Sequence, residues 1–115
     1  MNSRLRIVLY SIEILRNGVT QSIFPVTKPE ITIGRGSETV EVDLPLRGDA
    51  EVSRMHVALA RDARGLYWLT AKGQNPVFIN ENEVERNKPN QITSMDVIRI
   101  CSFSLRINVV ANTCI

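Results

Sequence analysis

The sequence predicts an all-β domain, an antiparallel β-sandwich that carries its binding loops at one end. Three observations predict it. Short apolar stretches with two-residue alternation recur along the chain at roughly ten-residue spacing. Each is bounded by Gly, Pro, Asn or Asp, the residues that tight turns use. No long stretch shows the stripe of an amphipathic helix. About ten short strands read this way, and strands so spaced with no helices between them form a sandwich or barrel rather than a parallel sheet.

The elements follow in order. Leu5, Ile7 and Leu9 alternate with Arg6, Val8 and Tyr10, the period of a half-buried strand, and the stretch reads as a strand and not as a signal peptide. Asn17-Gly18 between Ile12–Leu15 and Val19–Phe24 is a hairpin turn, and Pro25 and Pro29 close the section. Ile31-Thr32-Ile33 runs into Gly34, and Val40, Val42 and Leu44 alternate with Glu41 and Asp43 as a further strand ending at Pro45. A loop over 46–52 precedes Met55, Val57 and Leu59, which interleave with His56, Ala58 and Ala60 in a strand covered on both faces. After the Arg64-Gly65 turn, Leu66–Thr70 is a strand with Trp68 as the expected large core residue. Lys72–Pro76 is a loop and Val77–Ile79 a strand. A polar connection with a short strand at Glu83-Val84 leads to Val97–Ile100 and to Phe103, Leu105, Ile107 and Val109, with Ser102 and Ser104 facing the other way.

A chain of 115 residues is one domain, expected over 1–115 with its core at 5–110, and long enough to bury a core without disulfide or metal staples. A hydrophobic share of 43% and a charged share of 23% are those of a globular protein. A net charge of +2 and 5% aromatics supply neither the basic field nor the stacking platforms of a nucleic-acid binder. No apolar run approaches the roughly 20 residues that span a bilayer. Cys101 and Cys114 lack metal spacing, and the single histidine cannot complete a zinc set with them; read as reduced thiols, they point to a cytoplasmic protein.

Val52-Ser53-Arg54-Met55-His56 is the only place where a hydroxyl, a permanent cation and the sole histidine sit together. It has two readings. Ser53 can be a turn residue with Arg54 solvated and His56 in the core. Alternatively, Ser53 and Arg54 present donors to an anion while His56 holds the turn. Gly34-Arg35-Gly36-Ser37 and Gly73-Gln74-Asn75 are the other donor-rich loops. Alternating strand directions bring the Arg35 and Ser53 loops together if the 46–52 loop returns the chain to the same end.

Ile33-Gly34-Arg35, then Val52–His56, then Asn75-Pro76-Val77-Phe78-Ile79-Asn80 and Asp96–Ile100 resemble the forkhead-associated (FHA) family in order and spacing, over roughly residues 7–108. The resemblance implies an eleven-stranded sandwich that binds phosphothreonine-containing peptides, is often part of a longer regulatory protein, and needs no cofactor or metal. It implies that Arg35 pairs with the phosphate, Ser53 donates to a phosphate oxygen, Arg54 contacts phosphate or peptide backbone, Gln74 reaches the phosphate and Asn75 holds the peptide main chain. Gly34, His56 and Asn80 would be architectural. Pro76, Glu81 and Ser94-Met95-Asp96 depart from the family's commonest residues, the first beside the ligand loops and the others in turns far from the phosphate.

A phosphothreonine brings about −1.5 to −2 charge and three acceptor oxygens, which suit an arginine fork and a hydroxyl. No general base with an orienting carboxylate accompanies Ser53, so no catalytic residue and no enzyme are expected. Between Arg35 and Ser53 lie Glu38, Glu41, Asp43, Asp49 and Glu51 against Arg47 alone, which predicts that acidic-flanked phosphopeptides bind poorly. The alternative is a phosphate-independent interaction or dimerisation module on the same scaffold.

Overall fold

The structure is a computed structural model and describes residues 7–109. Among them lie eleven strands: β1 (Tyr10–Arg16), β2 (Val19–Val26), β3 (Glu30–Gly34), β4 (Leu44–Pro45), β5 (Val57–Arg61), β6 (Tyr67–Ala71), β7 (Val77–Ile79), β8 (Asn82–Glu83), β9 (Asn90–Ile92), β10 (Ile98–Ile100) and β11 (Phe103–Val109). They form a six-stranded sheet in the order β2-β1-β11-β10-β7-β8 and a five-stranded sheet in the order β4-β3-β5-β6-β9. All-β and sandwiched, this is the architecture the alternation and turn spacing predict. No helix of the described residues is long and apolar enough to cross a membrane.

The core lies between the sheets, and period two decides who enters it. Tyr10, Ile12 and Ile14 of β1, with Leu105 and Ile107 of its neighbour β11, face Ile31 and Ile33 of β3 and Val57 and Leu59 of β5 in the other sheet, all buried. Asn17 and Gly18 both have positive φ, 54° and 77°, as the mirror-image turn of a two-residue hairpin requires. Pro25, expected to end its strand, lies inside β2 opposite Ser11; β2 is an edge, so its missing N–H forfeits no ladder bond.

Four other expectations are corrected. The strand expected at Leu5–Tyr10 is not formed over residues 7–9, where Ile7 and Val8 are exposed and Leu9 is half-buried; Leu5 and Arg6 fall outside the described residues, and β1, which contains the expected hairpin arm Ile12–Leu15, begins at Tyr10. Pairing with β2 and β11 starts only at Tyr10 and buries the phase of Tyr10, Ile12 and Ile14. Trp68 is only half-buried on the outer face of β6, its indole N–H donating to Asp62 Oδ2 at 2.9 Å; Tyr67 takes the core position, ring edge against Tyr10 at 4.9 Å. Val40–Leu44 is not a strand, since Asp43 leaves the chain direction to accept from Thr32 N at 2.9 Å and Thr32 Oγ1 at 3.1 Å, and only Leu44-Pro45 pairs. Ser102 belongs to the two-residue turn between β10 and β11 rather than to a strand face, and Cys101 beside it has φ 53°.

β4 runs parallel to β3, opposite to the direction expected for it. The outcome for the loops is nevertheless the expected one. Both strands leave at the same end, β5 starts there with Val57 opposite Ile33, and Lys72–Pro76 returns to that end between β6 and β7. Three donor-rich loops therefore share one rim.

Candidate functional site

The site is organised around a backbone junction at the end of β3. Arg35 N donates to Ser53 O and Gly36 N to Arg54 O, each at 2.9 Å, which fastens the first loop to the second. Gly34 permits this approach. A Cβ there would overlap the carbonyl of Arg54 and come within 2.8 Å of Ser53 O, both backbone atoms that cannot step aside.

Arg35 Nε donates to Val52 O at 2.9 Å. This single bond aims the side chain and leaves both terminal nitrogens of its fork unbonded among the described residues. Val52 is itself fully buried, so the carbonyl that steers Arg35 is fixed.

His56 is fully buried behind the rim. Its Nδ1 accepts from the Ser53 N–H at 2.9 Å, so the ring proton sits on Nε2, which donates to Asn75 O, also at 2.9 Å. One imidazole therefore spans the second and third loops, the bracing role implied for it. Burial lowers its pKa from 6.5, opposed by the bond to Asn75 and the charge of Asp49, and the neutral ring is the form both bonds need.

Ser53 Oγ accepts from Gln74 N at 3.1 Å. With its acceptor side engaged by a backbone donor, the hydroxyl proton is free to point into the cleft. Gly73 makes the fit possible and was not foreseen from the sequence. A Cβ at this buried position would lie 2.7 Å from Ser53 Oγ and 2.9 Å from His56 Cγ. The adjacency of Gly73 to the donor loop was visible, but not what it would touch.

The resulting cleft is lined by Arg35, Ser53, Arg54, Gln74 and Asn75, every ligand-contact residue expected, and also by Lys72, Met55 and Glu51. Met55, expected in a strand, is exposed in the loop before β5. Among the described residues, none of Arg35, Arg54 and Lys72 forms an ion pair with a carboxylate. Gln74 contributes its backbone to Ser53 and leaves its side-chain amide unbonded among the described residues. Asn75 gives its Nδ2 to Glu51 O at 2.8 Å and to Glu51 Oε1 at 3.1 Å, which leaves Oδ1 as its open group.

The acids of the 38–51 segment are mostly turned elsewhere. Asp43 pairs with Lys28 at 2.7 Å. Asp49 accepts from Ser102 Oγ at 2.6 Å, Ser102 N at 3.1 Å and Glu51 N at 2.9 Å, and these bonds, the Ser102 hydroxyl first, hold its carboxyl below the usual range. Glu38 and Glu41 line a separate groove with Pro45 and Arg47. Only Glu51 remains in the cleft, against three cations, so the local field favours an anion.

Asn80 does not reach the cleft. It sits at the opposite end of β7, where its Nδ2 donates to Asp96 Oδ1 at 2.6 Å and its Oδ1 accepts from Val97 N at 2.9 Å. It ties loops together as expected, but its support reaches the rim only through β7. Asn80 and Glu81 both have positive φ, 51° and 70°, which is why glycine suits this turn. Cys101 is a free thiol, Cys114 lies outside the described residues, and no group of described residues could hold a metal ion.

A family model described as the FHA domain matches residues 31–101, more than half of the chain. No curated protein matches the sequence. Among solved structures, the chain is similar to the FHA domain of the CT664 protein from Chlamydia trachomatis, with a TM-score of 0.75 and 14% identity over 89% of this chain and 98% of that one. It is similar to the N-terminal FHA domain of Rad53p from S. cerevisiae in complex with a phosphothreonine peptide, with a TM-score of 0.74 and 18% identity over 90% and 94% of the two chains. EmbR of Mycobacterium tuberculosis, solved with a low-affinity phosphopeptide, gives a TM-score of 0.72 and 21% identity over 93% of this chain and 26% of that one. At such identities the structural likenesses establish the sandwich and its topology.

Proposed function

The chain belongs to the FHA domain family, and on that premise we propose that it is a phosphopeptide-binding module that recognises phosphothreonine-containing protein segments in signalling or regulated assembly. The observation that carries the proposal is the convergence of three cations, none paired with a carboxylate among the described residues, on a serine whose oxygen accepts from the Gln74 N–H. A phosphate monoester has the complementary chemistry, near two negative charges and acceptor oxygens in three directions.

In this reading Arg35 meets two phosphate oxygens with its fork, while Ser53 donates its hydroxyl to the third. Arg54 and Lys72 close the charge balance from the sides, and the Gln74 amide supplies a further donor. Asn75 uses Oδ1 to accept a main-chain N–H of the peptide, because its Nδ2 is engaged by Glu51. The solved complexes of Rad53p with a phosphothreonine peptide and of EmbR with a phosphopeptide support the same ligand class.

A binding role is further supported by how His56 is used. Both ring nitrogens are committed to backbone groups, so neither is available to take the Ser53 hydroxyl proton and make it a nucleophile.

The deciding experiment is titration with a degenerate phosphothreonine peptide library, with the dephosphorylated library as control. Each charge-assisted hydrogen bond contributes about 1.5 to 3 kcal/mol, so two of them separate the libraries by about a hundredfold or more. Arg35→Ala should remove most of that difference. Equal binding of both libraries would instead support the phosphate-independent interaction module.

A further inference from the structure

Among the described residues Glu51 is the one acid that lines the cleft, it has no cation partner there, and its backbone is held in place. Its N–H donates to Asp49 Oδ1 at 2.9 Å and its carbonyl accepts from Asn75 Nδ2 at 2.8 Å, while the next residue, Val52, is fully buried. The carboxylate is held through Oε1 by the same Asn75 amide at 3.1 Å. Oε2 has no hydrogen-bond partner among the described residues.

Glu51 and Asn75 form a ridge, since they are the two residues that line both the phosphate cleft and a second cleft beside it. Pro76, Phe78 and Cys101 give that second cleft its apolar surface. Arg99 is held on its far wall, stacked over the Phe78 ring at 4.3 Å. Asp49 also borders it, but both of its oxygens are engaged by Ser102 and Glu51 N. Asp49 and Glu51 bring two negative charges to this cleft against the one positive charge of Arg99, and after burial, the largest cause, both push the Cys101 pKa up.

We infer that Glu51 is a specificity-determining residue that selects ligands with a basic residue flanking the phosphothreonine. The inference rests on the phosphopeptide reading of the cleft. An extended peptide advances about 3.3 Å per residue, so a chain pinned by its phosphate among Arg35, Ser53 and Lys72 and by its main chain at Asn75 carries a neighbouring side chain over the ridge. A lysine or arginine there lays its aliphatic stem against Pro76 and Phe78 and brings its charge to Glu51. An acidic residue at the same place meets a like charge that the bond to Asn75 Nδ2 keeps at the ridge. The expectation that acidic-flanked peptides bind poorly thus narrows from five acids to one, and acquires a positive counterpart.

The test uses phosphothreonine peptides that differ only in carrying Lys or Glu, one at a time, at the four positions on either side of the phosphoresidue, with dephosphorylated versions as controls. Binding is read by fluorescence anisotropy for the wild type, Glu51→Gln and Glu51→Lys, with thermal melts confirming that each variant is folded. Gln keeps an oxygen that can accept from Asn75 and removes only the charge. At one or more positions the wild type should bind the Lys peptide about five- to tenfold more tightly than the Glu peptide. Glu51→Gln should bring that ratio near unity and Glu51→Lys should invert it. A Lys-to-Glu ratio near unity in the wild type, or one unchanged in both folded variants while phosphorylation still matters, overturns the role of Glu51 alone. Loss of all discrimination between phosphorylated and bare peptides overturns the underlying phosphopeptide reading, and the inference with it.

Discussion

Replacing Gly73 by alanine puts a single methyl group against the two side chains that define the rim. The new Cβ would stand 2.7 Å from Ser53 Oγ and 2.9 Å from both Ser53 Cβ and His56 Cγ, inside ordinary contact distance on all three counts. The perturbation is steric and not conformational, because Gly73 is not among the positive-φ residues and alanine fits its backbone. Both neighbours are held, Ser53 by the Gln74 N–H and His56 by bonds from each ring nitrogen, so relief must come from breaking one of these. Overpacking of this kind costs about 1–3 kcal/mol, a fall in Tm on the order of 5–15 °C for a domain of this size. Binding should suffer separately: turning the Ser53 hydroxyl away from the phosphate forfeits one charge-assisted bond, about ten- to a hundredfold in Kd. The two effects come apart in a Ser53→Ala background. There Gly73→Ala should cost little further affinity, because the hydroxyl is already gone, yet still lower Tm through His56 and the remaining Cβ. Anisotropy titration with a phosphothreonine peptide and thermal denaturation read both arms. Wild-type Tm and affinity in Gly73→Ala would refute the placement of Gly73 against Ser53.

Two further outcomes follow from buried polar groups. His56 is the only histidine of the chain and its folded pKa lies below 6.5. As pH falls below that value the unfolded chain takes up a proton the folded one resists, so stability present above about pH 6.5 declines on acidification, by at most about 1.4 kcal/mol per pH unit. Thermal melts between pH 7.5 and 5.5 should show the decline in the wild type and a flatter profile in His56→Gln; equal slopes would refute it. Tyr10 is fully buried with a hydroxyl that has no hydrogen-bond partner among the described residues. Tyr10→Phe keeps the edge contact with Tyr67 and removes the unpaired oxygen, which should raise stability by about 1 kcal/mol in chemical denaturation; a loss of that size would show the hydroxyl to be bonded in solution.

The fold was largely legible because its signals are local. Asn17-Gly18 admits little other than a two-residue hairpin, and the Ile and Leu alternations of β3, β10 and β11 have one apolar face each. Where both faces are apolar, local pattern fails. Tyr67-Trp68 offers two large residues of opposite phase, and the choice falls to partners: Tyr10 across the core for one, Asp62 at the surface for the other. The segment before Tyr10 alternates but its residues 7–9 lie outside both ladders of β1, and Asp43 bends the chain at Val40–Leu44 by accepting from Thr32.

At the site, the sequence by itself determined the chemistry. Arg35, Ser53, Arg54, Gln74 and Asn75 carry the donors, the resemblance to the FHA pattern marks them as one set, and the cleft holds all five. Only the tertiary structure decided how those donors are arranged. Asn75 and Glu51 are 24 residues apart and meet because β3, β5 and β6 deliver their loops to one rim. The same convergence leaves no room for a Cβ at Gly73, adds Lys72, and leaves Glu51 as the one acid in the cleft among the described residues. Charge is written in the chain residue by residue, but whether it opposes or assists a ligand depends on where the sheets aim it and which neighbours have already claimed it.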